Sequence, residues 1–225
     1  MSGFSSTAYG ASPGFHVPGA WITWTGATTT FYGNGWCSSG TGFIIVSDSR
    51  IKCDVNDVID DEALLKIRQL QPKTYKYIDT VQQGPERVYG FLAQEVKEII
   101  PNSVKIGIDE IPDIYELADI AGGNTITLNQ KTTENLVVGK NVKLIDINGT
   151  PVMTQISSIT DNKTFVISDT IEDSKLTGTF TNSETDETIS ITSKIFVYGR
   201  EVDDFHSLNN DAIWPVATAA LQEVD

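Results

Sequence analysis

Polar and apolar positions repeat with a helical period in three stretches of the chain. In the first, Ala63, Ile67 and Leu70 share one face, acidic residues suit the first turn, and a proline follows the end. The second is ended by Pro101, because proline cannot continue a helix. The predicted helices are 57–70, about 89–100, and 209–225.

The last predicted helix has an apolar stripe with small residues in its middle, which permits close approach of another helix. The stripe consists of Ile213, Val216, Ala217, Ala220, Leu221 and Val224. Two partners fit it: the helix's own domain, or equivalent helices in a seam between subunits. Asn209 or Asp211 suits the N-cap, and Pro215 falls early enough to be tolerated.

A period of two predicts strands elsewhere. The stretch 41–55 predicts one long strand, and 73–78 predicts another, followed by a polar turn at 82–86. Beyond residue 122, short alternating runs are separated by turn signals such as Asn148-Gly149. These runs are 125–128, 142–147, 152–159, 164–168, 188–191 and 194–198. They predict a small antiparallel β domain, a barrel or a sandwich, inserted before the last helix.

Charge divides the chain at position 47. Residues 1–46 contain no Asp, Glu, Lys or Arg, whereas all 16 basic and all 30 acidic side chains follow them. The uncharged part is rich in Gly, Ser, Thr and aromatic residues, and its run 20–25 predicts a short strand. A segment this short cannot bury its rings alone, so it needs a partner. Packing against identical copies in a fibre would supply one.

Composition argues against several classes of function. The net charge of −14 argues against a nucleic-acid surface, which needs a clustered basic face. No apolar run approaches the ~20 residues that a membrane span requires. His16 and His206 have no partners at ligand spacing, so we expect no metal site and no cofactor. Cys37 and Cys53 are expected to be buried free thiols.

The candidate catalytic residues lie where the charged part of the chain begins: Ser47, and Lys52 five positions later. A serine hydroxyl is a weak nucleophile until a base removes its proton, and a neutral lysine is one known base. The pKa of that lysine must fall through desolvation or a neighbouring cation. Arg50 could be that cation, whereas Asp48 could pair with either cation and oppose the effect.

Spacing limits how these two side chains can meet. In a regular strand, residues five apart point to opposite faces and lie about 16 Å apart. In a helix they are roughly 140° apart. Ser47 and Lys52 of one chain therefore meet only across a turn or bulge; otherwise the lysine comes from a neighbouring subunit. In a strand, Asp48, Arg50 and Lys52 would share one face, as in an ordinary solvated edge.

Three separated motifs follow one another in the sequence. They are Ser-Asp-x-Arg-x-Lys-x-Asp-Val at 47–55, an Ala-Leu-x-x-Ile helix ending before a proline at 63–72, and Tyr-Gly-Phe-Leu-Ala-Gln-Glu-Val at 89–96 followed by Pro101. Together they resemble the intramolecular chaperone auto-processing domain of viral tail spikes and fibres. That family is also called the endosialidase chaperone domain or peptidase S74, and a related domain occurs in myelin regulatory factor.

The resemblance covers residues 47 to about 117 and resumes at about 203–225. The β insertion at 122–198 departs from the compact phage versions and resembles longer forms in large DNA viruses and in the regulatory-factor branch. The resemblance implies trimerisation, folding of an upstream β segment, and then cleavage before the motif serine.

The resemblance also implies a role for each residue that matches a position of the family motif. Ser47 would be the nucleophile, Lys52 the general base, and Val46–Ser47 the scissile bond. The hydroxyl would attack the Val46 carbonyl in an N-to-O acyl shift, leaving an ester for water to hydrolyse. Asp48 and Arg50 would hold the geometry of the strand and the Ser-Lys dyad. Gln94 and Glu95 would support the site indirectly or lie at an interface.

We therefore expect a homotrimeric α+β protein with four parts. Residues 1–46 would end a β-rich fibre or spike segment, and 47–121 would form a mixed chaperone and auto-protease core with two short helices. Residues 122–198 would be the inserted antiparallel barrel or sandwich, and 199–225 would return to the core and end in a helix. The expected location is the virion, after assembly in the host cytoplasm.

Three functions are consistent with the sequence. The first is a self-cleaving serine endopeptidase that chaperones the upstream segment of its own polypeptide. The second is a structural trimerisation tip of a viral fibre that does not cleave. The third is a membrane-released transcription factor, which predicts a DNA-binding region upstream and a membrane span downstream. The uncharged aromatic segment fits a fibre better than this third class.

Overall fold

The structure is a computed structural model that describes residues 47–181 and 188–224, together with the strand backbones at 15–17, 20–25 and 28–32. The chain divides into two compact units, residues 1–56 and residues 57–225. Each unit has its own secondary structure. Among the described helices, none combines the length and the apolarity that crossing a membrane requires.

The first unit contains a three-stranded antiparallel sheet. Its strands are β1 (Phe15–Val17), β2 (Ala20–Thr25) and β3 (Thr28–Tyr32), in that spatial order. Strand β2 confirms the strand predicted at 20–25. The sheet is followed by a short 3₁₀ turn, Ser49–Ile51.

The long strand predicted at 41–55 is wrong over its described part. Residues 41–46 lie outside the described residues, but Ser49–Ile51 is a 3₁₀ turn and the chain after it is irregular. The physical reason is Asp48, whose carboxylate accepts the backbone N–H of Arg50 and thereby favours a turn over a strand ladder. Cys53 is exposed in this irregular segment, so its predicted burial is also wrong.

The second unit begins with helices and short strands. Their bounds are α1 (Asp60–Gln69), β4 (Lys73–Tyr75), α2 (Thr80–Gln83), β5 (Val88–Gly90) and α3 (Ala93–Ile99). The helix predicted from residue 89 starts later, because β5 pairs with β4 and holds that part of the chain extended. The strand predicted at 73–78 is correspondingly short.

The last helix, α4 (Ile213–Val224), packs against α1. A 3₁₀ turn, Asn210–Ala212, leads into it, and the Asn209 side chain accepts the Asp211 N–H. Ala63, Ala219 and Ala220 are buried where the two helices meet. Small residues permit this close approach, and of those in the predicted stripe Ala220 takes part, whereas Ala219 was not in the stripe. A second cluster joins Leu70 to Val96 and Ile100 of α3, with Ile213 and Val216 of α4 packed against it.

A six-stranded antiparallel barrel forms most of the rest of the second unit. The strands after α3 are β6 (Val104–Ile111), β7 (Glu116–Ala121), β8 (Thr125–Thr127), β9 (Asn141–Ile145), β10 (Pro151–Ile159), β11 (Thr164–Ile167), β12 (Gly178–Thr181), β13 (Thr188–Ile191) and β14 (Lys194–Leu208). The barrel order is β14-β7-β8-β11-β10-β9, and β9 closes it by pairing with β14. Of the two predicted alternatives, the barrel is confirmed.

The barrel has an apolar interior because its strands alternate inward and outward side chains. Fully buried side chains include Ile126, Val142, Leu144, Ile156, Phe165, Ile167, Ile195 and Val197. Burying one such side chain contributes roughly 1.5–3 kcal/mol. The interior is therefore a packed core, and the barrel needs no ligand to fill it.

Strand β14 is shared by two parts of the fold. Its first half pairs with β7 and β9 in the barrel, and its second half pairs with β6 in a two-stranded ribbon. Gly199 lies at the change of partner, where a Cβ atom would overlap the carbonyl oxygen of Ile111. Only glycine permits this close approach of the two backbones.

Candidate active site

The 3₁₀ turn at Ser49–Ile51 brings together the residues that flank it. Asp48 is its N-cap, with a carboxylate oxygen 2.8 Å from the Arg50 backbone nitrogen. Backbone hydrogen bonds from Ile51 to Asp48 and from Lys52 to Ser49 close the turn. The chain therefore turns between positions 47 and 52, which is the condition under which the Ser47 and Lys52 side chains of one chain can meet.

The Ser47 hydroxyl and the Lys52 side chain meet across this turn. The Nζ atom of Lys52 lies 2.6 Å from the Oγ atom of Ser47, within one chain. In the protonated state the ammonium donates to the hydroxyl. At the same distance, a neutral amine would accept the hydroxyl proton, which is the geometry of general-base activation.

Asp48 pairs with Arg50 rather than with Lys52. The guanidinium Nη2 lies 2.6 Å and Nε 3.0 Å from the two carboxylate oxygens, which makes the pair bidentate. The Arg50 guanidinium, followed by the Arg50 backbone N–H, holds the pKa of Asp48 below its usual value. Asp48 in turn raises the pKa of Arg50. The pair leaves Asp48 ionised and bound across the turn.

The turn is exposed to solvent. Every side chain from residue 47 to 56 is exposed, including the large apolar residues Ile51 and Val55. Asp54 has a left-handed backbone with φ of 52°, and the Asn56 side chain donates to its carbonyl and carboxylate oxygens.

Two predicted supporting residues lie in the other unit. Gln94 and Glu95 are exposed on α3, and Glu95 forms an ion pair of 3.2 Å with Lys73 at the start of β4. The described contacts therefore give Glu95 a role within its own unit. Val46, the residue before Ser47, lies outside the described residues. Over the described part of the chain, no cluster of His, Cys, Asp and Glu could hold a metal ion.

The sequence prediction missed the capping role of Asp48. A signal for it was present, because Asp is a preferred N-cap residue and its side chain readily bonds to the N–H two positions on. The left-handed turn at Asp54 was also missed. Asn and Asp are the residues other than glycine that most often adopt this conformation.

Comparison with known families identifies the segment that contains this turn. Residues 47–105 match the family model Peptidase_S74, described as chaperone of endosialidase. The resemblance drawn from the three sequence motifs is thereby confirmed. The matched segment starts at Ser47 and ends in β6, and it contains α1, α2 and α3.

A viral relative extends the similarity into the barrel. The chain is 32% identical over 214 residues to the uncharacterized protein VP1 of Micromonas pusilla reovirus (isolate Netherlands/2005). That similarity covers 81% of this chain and 11% of the relative, so the chain spans about a tenth of the relative's length. The relative is therefore a much longer viral protein that contains a region similar to this one.

Proposed function

We propose that this chain is a C-terminal intramolecular chaperone that trimerises, folds an upstream fibre or spike segment, and then releases itself by cleavage at Val46–Ser47. The observation that carries the proposal is the 2.6 Å separation of Ser47 Oγ and Lys52 Nζ at the first residue of the family match. The proposed cleavage is a single-turnover serine endopeptidase reaction that uses a Ser-Lys dyad.

The proposed chemistry has two steps. In the first, neutral Lys52 takes the Ser47 hydroxyl proton while Oγ bonds to the Val46 carbonyl carbon. The C–N bond then breaks and the Ser47 nitrogen is protonated, leaving an ester. In the second, water cleaves the ester, giving a Val46 carboxylate and a chain that begins with a free Ser47 amine. Asp48 and Arg50 act as positioning residues, because they hold the turn that joins the dyad.

The reaction requires that the site be covered. A lysine is a base only when neutral, and desolvation favours the neutral form. Since residues 47–56 are exposed in the single chain, neighbouring subunits are the proposed cover. This links cleavage to assembly: the bond is cut after the trimer has formed and the upstream segment has folded.

Helix α4 supports trimerisation. Its inner face, including Val216, Ala219 and Ala220, packs on α1. Trp214, Leu221 and Val224 remain 69%, 68% and 66% exposed on another face. With Ala217 they are spaced three, four and three residues apart, which is the spacing of a coiled-coil seam. The stripe predicted from the sequence is therefore split: Val216 and Ala220 pack within the domain, whereas Leu221 and Val224, together with Trp214 from outside the stripe, are left for neighbouring copies.

The proposed location is a virion fibre or spike, assembled in the host cytoplasm. The viral relative and the family description support it. The client is the upstream segment of the same polypeptide, whose last part is the uncharged, aromatic region 1–46. Neither nucleic acid nor a metal enters the proposed mechanism.

Mass spectrometry of freshly expressed protein tests the cleavage. We expect a fragment that begins at Ser47, and we expect Ser47→Ala and Lys52→Ala to abolish it. Ser49→Ala is the matched control, because it removes an exposed hydroxyl from the same turn without touching the dyad. Cleavage of the Lys52→Ala protein at the wild-type rate would overturn the dyad.

A non-cleaving trimeric fibre tip is the alternative. The exposed seam on α4 favours it as much as it favours the chaperone, because the seam does not depend on the dyad. Sedimentation and mass spectrometry on the same sample separate the two. A trimer that stays uncut after prolonged incubation indicates the structural tip, whereas a monomer contradicts both.

A further inference from the structure

Asp79 is a buried carboxylate at the start of α2, only 6% exposed. Its Oδ1 atom accepts the Gln82 backbone N–H at 3.0 Å, which caps the helix. The same oxygen accepts the Tyr115 hydroxyl at 3.1 Å. Burial of a carboxylate is costly unless hydrogen bonds replace its hydration. Asp79 therefore depends on a donor that is far away along the chain.

Both tyrosines near Asp79 belong to the barrel side of the unit. Tyr115 immediately precedes β7, and Tyr198 lies on β14. Their rings are 6.0 Å apart in an edge-on arrangement, and the Tyr115 N–H donates to the Tyr198 carbonyl at 3.0 Å. Burial, and then the nearby Asp79 carboxylate, raise the pKa of Tyr198 to about 12. The Nζ atom of Lys143, on β9, lies over the Tyr198 ring, 4.6 Å from its centroid.

Helix α2 also interacts with Tyr115 through the Thr80 side chain and the Val81 backbone. It is four residues long, and each of its side chains is exposed. An isolated helix of this length is unstable in water. Yet the turn carries Ile78 and Val81, which are 60% and 86% exposed. Asp79 is the buried residue between them, so it is the anchor that keeps these two apolar side chains presented on the surface.

We propose that Asp79, Tyr115 and Tyr198 form a latch that couples the α2 turn, which lies in the segment 47–105 that matches the chaperone family, to the folded barrel. The α2 turn is ordered only when the barrel supplies the tyrosine hydroxyls. Folding of this part of the matched segment thus depends on the barrel, and the apolar surface at Ile78 and Val81 takes its shape after the barrel has folded.

Hydrogen exchange read by mass spectrometry tests the latch. Removing both hydroxyls with Tyr115→Phe and Tyr198→Phe keeps the rings. We expect exchange of the amides of Gln82, Gln83 and Gly84 to accelerate at least tenfold while the barrel-core amides stay protected. Tyr89→Phe, at an exposed position on β5, is the matched control and should change nothing.

A local cap predicts a different result. If Asp79 acts only on Gln82, the double variant exchanges at the wild-type rate, and the latch is wrong. If the double variant loses barrel protection, Tyr115→Phe alone gives the answer, because it removes the Tyr115–Asp79 hydrogen bond and keeps the ring contact with Phe196. In that variant, unchanged exchange at 82–84 also overturns the proposal. Neither readout depends on cleavage at Ser47.

Discussion

The Lys52 ammonium nitrogen lies 2.6 Å from the Ser47 hydroxyl oxygen, although the two residues are five positions apart. A strand would separate them by about 16 Å. The difference comes from one capped turn, whose cap is Asp48. The proposed reaction therefore depends on a residue that takes no part in the bond changes.

Replacing Asp48 tests this dependence. Asp48→Ala removes the cap and the pairing with Arg50, and loss of an N-cap typically costs ~1 kcal/mol. We expect cleavage to slow about fivefold or more. Asp48→Ser keeps a cap oxygen and should recover part of the rate. The rate is measured as the appearance of the fragment that begins at Ser47. Equal rates for Asp48→Ala and Asp48→Ser would show that the cap is irrelevant.

A charge in the α4 seam tests trimer assembly. Leu221→Asp places a carboxylate on the exposed apolar stripe, and we expect it to weaken association by about 2 kcal/mol or more, roughly thirtyfold. Sedimentation at a series of concentrations measures the effect. Gln222→Asp adds the same charge at the neighbouring exposed position and should leave the trimer intact. If both variants sediment like the parent protein, α4 is not the seam.

Gly199 should not tolerate a methyl group. A Cβ there would overlap the Ile111 carbonyl, so Gly199→Ala must displace backbone at the junction of barrel and ribbon. We expect a loss of at least about 2 kcal/mol in the free energy of unfolding, with Tm lower by roughly 4–8 °C. Gly107→Ala on β6 is the control, because its Cβ would meet open space. Thermal unfolding followed by circular dichroism compares the two, and a Tm for Gly199→Ala equal to that of Gly107→Ala would contradict this packing.

Glu116 organises a loop of the barrel. Its buried carboxylate accepts the backbone N–H groups of Asn129, Gln130 and Lys131, at 2.6, 3.1 and 2.9 Å. Lys163 donates to the carbonyl oxygens of the same three residues. Glu116→Gln replaces one acceptor with a donor that faces N–H groups. We expect a loss of about 1.5–3 kcal/mol in urea unfolding, against little change for exposed Glu134→Gln.

Because the pKa of Tyr198 is raised by folding, the free energy of unfolding should fall at alkaline pH. Its pKa is raised to about 12 in the folded chain, against about 10 in an unfolded one. Between these values the unfolded chain has lost the proton and the folded chain retains it, so stability falls as pH rises from 10 to 12. Urea midpoints at pH 9 and 11 should therefore fall less in Tyr198→Phe than in the parent protein. An equal fall in both would contradict the raised pKa.

Local sequence patterns predicted the elements in which apolar residues repeat regularly. Helix α1 and the barrel strands β8 to β11 were predicted from apolar spacing, because each presents one face to a core. Strand β7 (Glu116–Ala121) was not predicted, since its buried positions include Glu116 and its exposed positions include Leu117. The turn at 47–52 was not predicted, since a side-chain cap overrode an alternating pattern that also suits a strand. Closure of the barrel could not be predicted either. It depends on pairing of β9 with β14, which are far apart in sequence and whose register no local pattern records.

The candidate site divides in the same way. Ser47 and Lys52 could be chosen from chemistry and family resemblance, but their meeting within one chain depends on the backbone between them. Likewise, the stripe on α4 was visible as one apolar surface. Only the packing of Ala219 and Ala220 against α1 separates the positions used within the domain from those left for other copies.

The packing of α1 on α4 has a consequence for synthesis. The barrel lies between the two helices along the chain, so the ribosome must deliver it completely before α1 can meet its partner. Until then the nascent chain leaves Leu64 and Ile67 without the apolar cover that α4 later provides. Helix α1 is translated before the barrel and yet is packed against α4 only after the barrel is complete. The slow, non-local closure of the barrel delays that packing further.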